Sequence, residues 1–335
     1  MEIRRLGSSD LRVSVVGFGC WGIAGGAMWG DQDERQSIHS LLAAVDNGIN
    51  FFDTAEGYGD GYSEEIVGKA LAARRADVVI ATKVLPSNLA PDALRRSCEE
   101  SLRRLRTDRI DLYQIHWPSP PGDTDDVVET MQTLQRQGKI RYVGVSNFGP
   151  SDLSCYPDGL FVSNQIAYSL AFRATEYSIN PESIRRGMGL ITYSSLLHGV
   201  LTGKFGSADE VPAGRARTRH FSGTREQVRH DEPGHEDELF RLVERLKAIS
   251  AEHGLEPRVA AILWVMAQPG VATVLAGSRT VDQAIDNASI PTHGLPASAL
   301  AALTAASDGL KRDMGPNPDM WQSESRVERG PASSP

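Results

Sequence analysis

The chain has 335 residues, 40% of them hydrophobic and 23% charged, which is enough apolar side chain for a full-sized core and too little charge for disorder. Its 35 Lys and Arg against 43 Asp and Glu leave a net charge of −8, and no basic run exceeds a pair such as Arg103-Arg104. The footprint of a phosphate backbone is missing, so nucleic acid is not an expected partner.

Cys20, Cys98 and Cys155 are far apart and odd in number. They suggest neither a disulfide framework nor a zinc knuckle, no metal site is expected, and a reducing cytoplasm suits them. The N-terminus lacks the long apolar stretch of a secretory signal. The longest apolar run, residues 259–267, is well short of the roughly 20 residues of a membrane span and reads as a buried helix.

Along the chain, short Val/Ile-rich runs alternate with amphipathic stretches. Strands are predicted at 13–19, 49–54, 78–84, 110–116, 140–146, 161–167, 190–194 and 271–277. Helices are predicted at 34–47, 64–73, 92–105, 125–137, 181–187, 236–252, 258–268 and 281–288, several opened by Pro-Asp or closed by Asn-Gly or Gln-Gly. Eight strands alternating with helices, without a mid-chain change of composition, predict a single-domain α/β protein, a (β/α)8 TIM barrel. Its limits are read as residues 1–312, with the N-terminal segment capping the barrel bottom and 313–335 forming a polar, partly mobile tail in which Trp321 is able to dock. Residues 198–235 are rich in Gly, Arg and His and weakly periodic, and they read as a covering loop.

Gly17-Phe-Gly19-Cys-Trp-Gly22 satisfies the dinucleotide pattern G-x-G-x-x-G, but the residues after it have no helical periodicity. A strand-to-loop turn on the rim of a pocket fits better, with Trp21 and Trp29 available to line it.

In a barrel of this kind the chemistry lies at the C-terminal strand ends. Those ends present Asp53 and Tyr58, then Lys83, then His116. Singly each has a structural explanation; together, four ionisable types at three successive strand ends fit one task, giving a proton to a carbonyl oxygen while a hydride reaches its carbon. Tyr58 is the expected acid. Bringing a tyrosine from a pKa near 10 to near 7 takes about 4 kcal/mol, and an ammonium about 4 Å away supplies on the order of 4 kcal/mol at an effective dielectric near 20. Lys83 is the expected cation, Asp53 its partner on the far side from Tyr58, and His116 the group that binds the carbonyl oxygen or relays its proton. A carbon–carbon lyase using Lys83 as a Schiff base is the rival chemistry, and a nearby Asp53 weighs against it by keeping Lys83 charged.

The segments Gly48-Ile-Asn-Phe-Phe-Asp53-Thr-Ala-Glu-Gly-Tyr58-Gly, Ala81-Thr-Lys83, Tyr113-Gln-Ile-His116-Trp-Pro and Gly144-Val-Ser-Asn147-Phe closely resemble the aldo-keto reductases, over residues 5–288. Met28-Trp-Gly30 is similar to bacterial members of the branch related to the potassium-channel β subunits. The resemblance implies NADPH, or NADH, bound extended on the barrel, and Asp53, Tyr58, Lys83 and His116 as the catalytic tetrad. It implies that Cys20, Trp21 and Asp53 meet the nicotinamide ribose side. Ser146, Asn147 and Gln165 would bind the carboxamide, and Tyr193 would stack on the ring. Ser194, Leu196, His198 and Lys204 would begin the pyrophosphate cover, with Arg215 further along. Gly277, Arg279, Gln283, Asp286 and Asn287 would form the adenosine-phosphate motif, with Arg279 on the 2′-phosphate. Ser195, where proline is common, and Asp286, where glutamate is common, depart from the family pattern. The substrate pocket is expected from Trp21, Trp29, Tyr58, His116 and Trp117, suited to an aldehyde, a ketone or an open-chain sugar. A regulatory, cofactor-sensing subunit with weak reductase activity is the remaining alternative, and the sequence carries no signal for oligomeric state.

Overall fold

Strands buried on both faces need apolar residues at nearly every position, and the Val/Ile-rich runs supply them. The computed structural model describes residues 1–26, 28–118 and 124–327. A two-stranded antiparallel hairpin, β1 (Ile3–Arg5) and β2 (Arg12–Ser14), precedes eight parallel strands. These are β3 (Val16–Gly19), β4 (Phe51–Asp53), β5 (Val79–Val84), β6 (Ile110–Ile115), β7 (Ile140–Ser146), β8 (Phe161–Ala167), β9 (Gly189–Tyr193) and β10 (Val271–Ala276). They pair in chain order, and β10 closes on β3 to complete the (β/α)8 barrel.

The stretch read as one strand at 13–19 divides at Val15. Leu6, Leu11 and Val13 turn into the barrel floor instead and pack against Phe51, Ala81, Leu112, Val162, Ile191 and Ala272. The hairpin thereby caps the barrel at its N-terminal end. Its turn passes so close under β8 and β9 that a Cβ on Gly7, which has φ +53°, would lie 2.2 Å from the Val162 carbonyl oxygen. Only glycine fits there.

The helices are α1 (Glu34–Asp46), α2 (Tyr62–Leu71), α3 (Pro91–Leu105), α4 (Thr124–Arg136), α5 (Pro150–Ser154), α6 (Ile179–Arg185), α7 (Glu236–Glu252), α8 (Pro257–Met266), α9 (Val281–Ser289) and α10 (Ala297–Met314). In α3, Leu94, Cys98, Leu102 and Leu105 recur every three or four residues and form the buried face. Gly68 lets α2 approach α3, where a Cβ would lie 2.4 Å from the Arg104 carbonyl oxygen. Helix α10 escapes the sequence reading because its Ala-rich stretch shows only a narrow apolar stripe; Ala299, Leu303 and Leu310 are buried. Beneath the G-x-G-x-x-G pattern, β3 ends at Gly19, a single 3-10 turn covers Gly22–Ala24, and the next helix waits until Glu34, which is not a Rossmann turn.

Candidate active site

Strand register delivers the ionisable side chains to one point. Asp53 ends β4, paired with Gly19 of β3 and Ala81 of β5. Lys83 lies on β5 opposite Gln114 of β6. Tyr58 stands on the turn after β4, and His116 follows β6. The fully buried Lys83 Nζ donates to Asp53 Oδ1 at 2.5 Å, to the Thr54 carbonyl at 2.8 Å and to the Tyr58 hydroxyl at 3.1 Å. Because Lys83 donates to Tyr58, the phenol keeps its own hydrogen to give elsewhere. The second Asp53 oxygen accepts the amides of Gln165 at 2.7 Å and Gln114 at 3.0 Å.

The charges sort themselves by burial and pairing. Burial pulls the Lys83 ammonium toward neutrality, but Asp53 and Tyr58 outweigh it and hold its pKa above the ordinary value. Burial pushes Tyr58 up, and the pull of Lys83 does not cancel it. The expectation that one cation brings this phenol near neutral pH is therefore corrected: in this site Tyr58 is a neutral phenol, which is the state a proton donor needs. Burial, then Lys83 and Arg326, hold His116 far below the usual imidazole range. Its Nδ1 is buried without a partner.

Above this floor opens a cleft of about 740 Å³. Every site residue expected from the sequence lines it except Lys83, which lies beneath. One side is aromatic. Trp21 stacks on Tyr58 (5.9 Å between centroids, 24°), Trp29 meets Trp21 edge-on (5.6 Å, 87°), and His198 stacks on Trp321 (5.1 Å, 24°). Trp117 carries the Arg326 guanidinium 3.8 Å above its ring.

The other side is polar. Ser146 Oγ donates to the Gln165 carbonyl, Asn147 Nδ2 to Ser146 Oγ, and the Tyr193 hydroxyl to Asn147 Oδ1 at 2.7 Å. Ser194 and His198 face each other at 3.4 Å, both at positive φ. Cys20 is a buried wall residue whose thiol burial drives up. Asn287 braces the turn at Gly277 and Ser278, and Gln283 accepts the Arg279 backbone N–H. Asp286 is exposed and faces Arg258 at 3.6 Å. Ser195 is buried with an unpartnered hydroxyl. Arg279 reaches backbone carbonyls of the segment around Trp29 rather than standing open.

Sequence reasoning missed Arg217, Gln227, Arg229 and Arg326, which also line the cleft. The signal for Arg217 and Arg229 is the density of arginine within 198–235. Lys204, Arg215, Arg217 and Arg229 have no carboxylate partner among the described residues. Burial lowers the pKa of Lys204 and of Arg217, and like charge from Arg215 and Arg229 respectively adds to it. Crowded cations without counter-charges form a site for an anion. Among the described residues, no group of three or more His, Cys, Asp or Glu is placed to hold a metal, and no helix is long and apolar enough to cross a membrane.

The model of the aldo/keto reductase family matches residues 15–308. Aldo-keto reductase YhdN of Bacillus subtilis is 34% identical over 299 residues, covering 84% of this chain and 86% of the relative. The NADH-specific methylglyoxal reductase of Escherichia coli is 32% identical over 306 residues, covering 84% and 91%. Among solved structures, an aldo-keto reductase from Klebsiella pneumoniae in complex with NADPH superposes with a TM-score of 0.71 at 28% identity, over 91% of this chain and 94% of that one.

Proposed function

Because the chain belongs to the aldo/keto reductase family, we propose that it reduces an aldehyde, a ketone or an open-chain sugar carbonyl to the alcohol with NADPH, NADH serving as the alternative donor, and with Tyr58 giving the proton. The observation that carries this reading is the floor: a neutral phenol with its hydrogen free, set against a buried ammonium and beside a neutral imidazole.

The residues fit a dinucleotide. Lys204, Arg215, Arg217 and Arg229 suit its phosphates, the Ser146, Asn147 and Gln165 group suits a carboxamide, and the Tyr193 face suits a flat ring. The bound NADPH of the Klebsiella relative supports the phosphate form, and the name of the Escherichia coli relative supports NADH as the second donor. When bound, the nicotinamide supplies the hydride.

His116 holds the carbonyl oxygen beside Tyr58, which donates its hydroxyl hydrogen to that oxygen. The negative charge left on Tyr58 then lies against Lys83, whose ammonium stabilises it by on the order of 5 kcal/mol at an effective dielectric near 20. Asp53 keeps Lys83 protonated, and the Gln114 and Gln165 amides keep Asp53 in place. A Schiff-base role needs a neutral Lys83, which this pairing opposes. Trp21, Trp29 and Trp117 favour an apolar carbonyl compound or the apolar face of a sugar.

Fluorescence titration with NADPH and NADH, followed by turnover of an aldehyde and ketosugar panel, tests this. The expected result is tighter binding of NADPH, and a Tyr58→Phe variant that binds it normally and turns nothing over. If neither nucleotide binds, the cofactor assignment and the chemistry fall together.

A further inference from the structure

Arg279 stands just after β10, at the nucleotide end of the cleft, yet its side chain crosses to the segment that carries Trp29. Its Nε donates to Gln32 Oε1 at 2.6 Å, Nη1 to the Trp29 carbonyl at 2.5 Å and Nη2 to the Asp31 carbonyl. Gln32 returns the clasp, its Nε2 donating to the Arg279 carbonyl at 3.0 Å. Trp29 sits on a glycine-rich turn whose own bonds are local, the Trp29 and Gly30 backbone N–H groups donating to the Gly26 carbonyl at 3.1 and 2.7 Å. Gly25, Gly26 and Gly30 all have positive φ (68°, 94° and 72°), and no helix or strand covers them. Glycine at such positions leaves the chain with more freedom to lose on ordering than any other residue would.

Trp29 in turn is a joint. It meets Trp21 edge-on, and Trp21 stacks on the proton donor Tyr58; on another side it lies edge-on to His198 at 6.5 Å, and His198 stacks on Trp321. Its indole nitrogen is buried without a partner, so the ring is placed by packing and by its backbone, which the local turn and the Arg279 clasp hold.

We propose that Arg279 is a positioning residue for the substrate wall: through Trp29 it couples the nucleotide end of the cleft to the pocket around Tyr58. The proposal rests on the reductase reading above. A guanidinium has five N–H groups, and the clasp takes one on each nitrogen. One N–H on each terminal nitrogen is left for a phosphate, so a phosphate and the Trp29 segment share one rigid fork.

The discriminating donor is NADH, which has no 2′-phosphate. With NADH saturating, Arg279→Ala is expected to raise the carbonyl KM about fivefold, the scale of one lost net hydrogen bond, with a smaller change in kcat. Gln32→Ala shifts the same way, and Arg279→Lys restores little, because a single ammonium does not span three acceptors. In the nucleotide-free protein, hydrogen exchange over residues 28–33 accelerates in Arg279→Ala and Gln32→Ala. An unchanged carbonyl KM with NADH, together with unchanged exchange in that segment, overturns the proposal and leaves Arg279 as a phosphate ligand only. If the wild type turns over no carbonyl with either nucleotide, the reductase reading fails, and the exchange comparison still decides the tether.

Discussion

The floor and the wall of the cleft are built by different means. On the floor, strand ends of β4, β5 and β6 set Asp53, Lys83 and His116 by backbone register, and the Asp53 and Lys83 polar atoms meet their partners at short range. In the wall, long side chains reach across to distant backbone. Arg219 donates from Nη1 to the Asn317 carbonyl at 3.1 Å, from Nη2 to the Met314 carbonyl at 3.2 Å and from Nε to Glu232 at 2.7 Å. Arg326 grips the fully buried Asp319, and Ser323 bonds Asp231. The chain after α10 is thus strapped to the covering loop. The floor is set by the barrel backbone, whereas the strapped wall rests on individual side chains. Changes to the floor should strike the chemistry and changes to the wall should strike binding.

Lys83→Met tests the floor hardest. It removes the cation beside Tyr58 and strands the Asp53 carboxylate, which is 1% exposed. Turnover should fall by about 10³-fold, and stability by roughly 3–5 kcal/mol, the cost of breaking a buried pair from one side. Single-turnover kinetics and a denaturant midpoint read the two separately. Retained turnover would place the proton source elsewhere.

The same contrast explains what the sequence reveals. Floor residues sit at the ends of short apolar runs, so finding the strands finds Asp53, Lys83 and His116, and barrel topology does the rest. Gln114 was passed over because a polar residue within Asp-Leu-Tyr-Gln-Ile looks like strand interior; only its bond to Asp53 shows its place. The wall depends on pairings between segments a hundred residues apart, such as Arg219 with Asp319, which no periodicity encodes. Arg326 was missed for that reason, and the density of arginine in 198–235 marked a function without naming the partners.

In the wall, the double variant Arg215→Ala/Arg217→Ala removes two cations without carboxylate partners. NADPH affinity should weaken about 30-fold, at roughly 1 kcal/mol for each charge-assisted contact, with kcat at saturating nucleotide little altered. Equal losses in kcat would mean that these arginines reach the floor. A smaller effect is expected for Arg219→Met, which frees the strap: the carbonyl KM should rise about fivefold, on the scale of about 1 kcal/mol, while NADPH affinity holds. Unchanged KM would show that the strap does not shape the pocket.

The last effect is a slope with pH, which leaves turnover at neutral pH untouched. Burial holds His198 down to about 4 and His220 to about 3, so both are neutral in the folded wall. Above an unfolded pKa near 6.5, neither state carries the proton and these groups add no pH dependence. As pH falls from there toward 4, the unfolded chain takes up protons that the folded wall refuses, so stability drops across that window. Each histidine contributes at most about 1.4 kcal/mol per pH unit. His198→Phe keeps a ring against Trp321 and removes the titrating group, so its denaturant midpoint should fall less steeply between pH 6.5 and 4.5 than that of the wild type. Parallel slopes would assign the acid sensitivity to His220 and to the floor, where burial and the charge of Lys83 also hold His116 neutral. A difference confined to the Trp321 fluorescence transition would place the acid-labile joint in the wall, where the strap meets the covering loop.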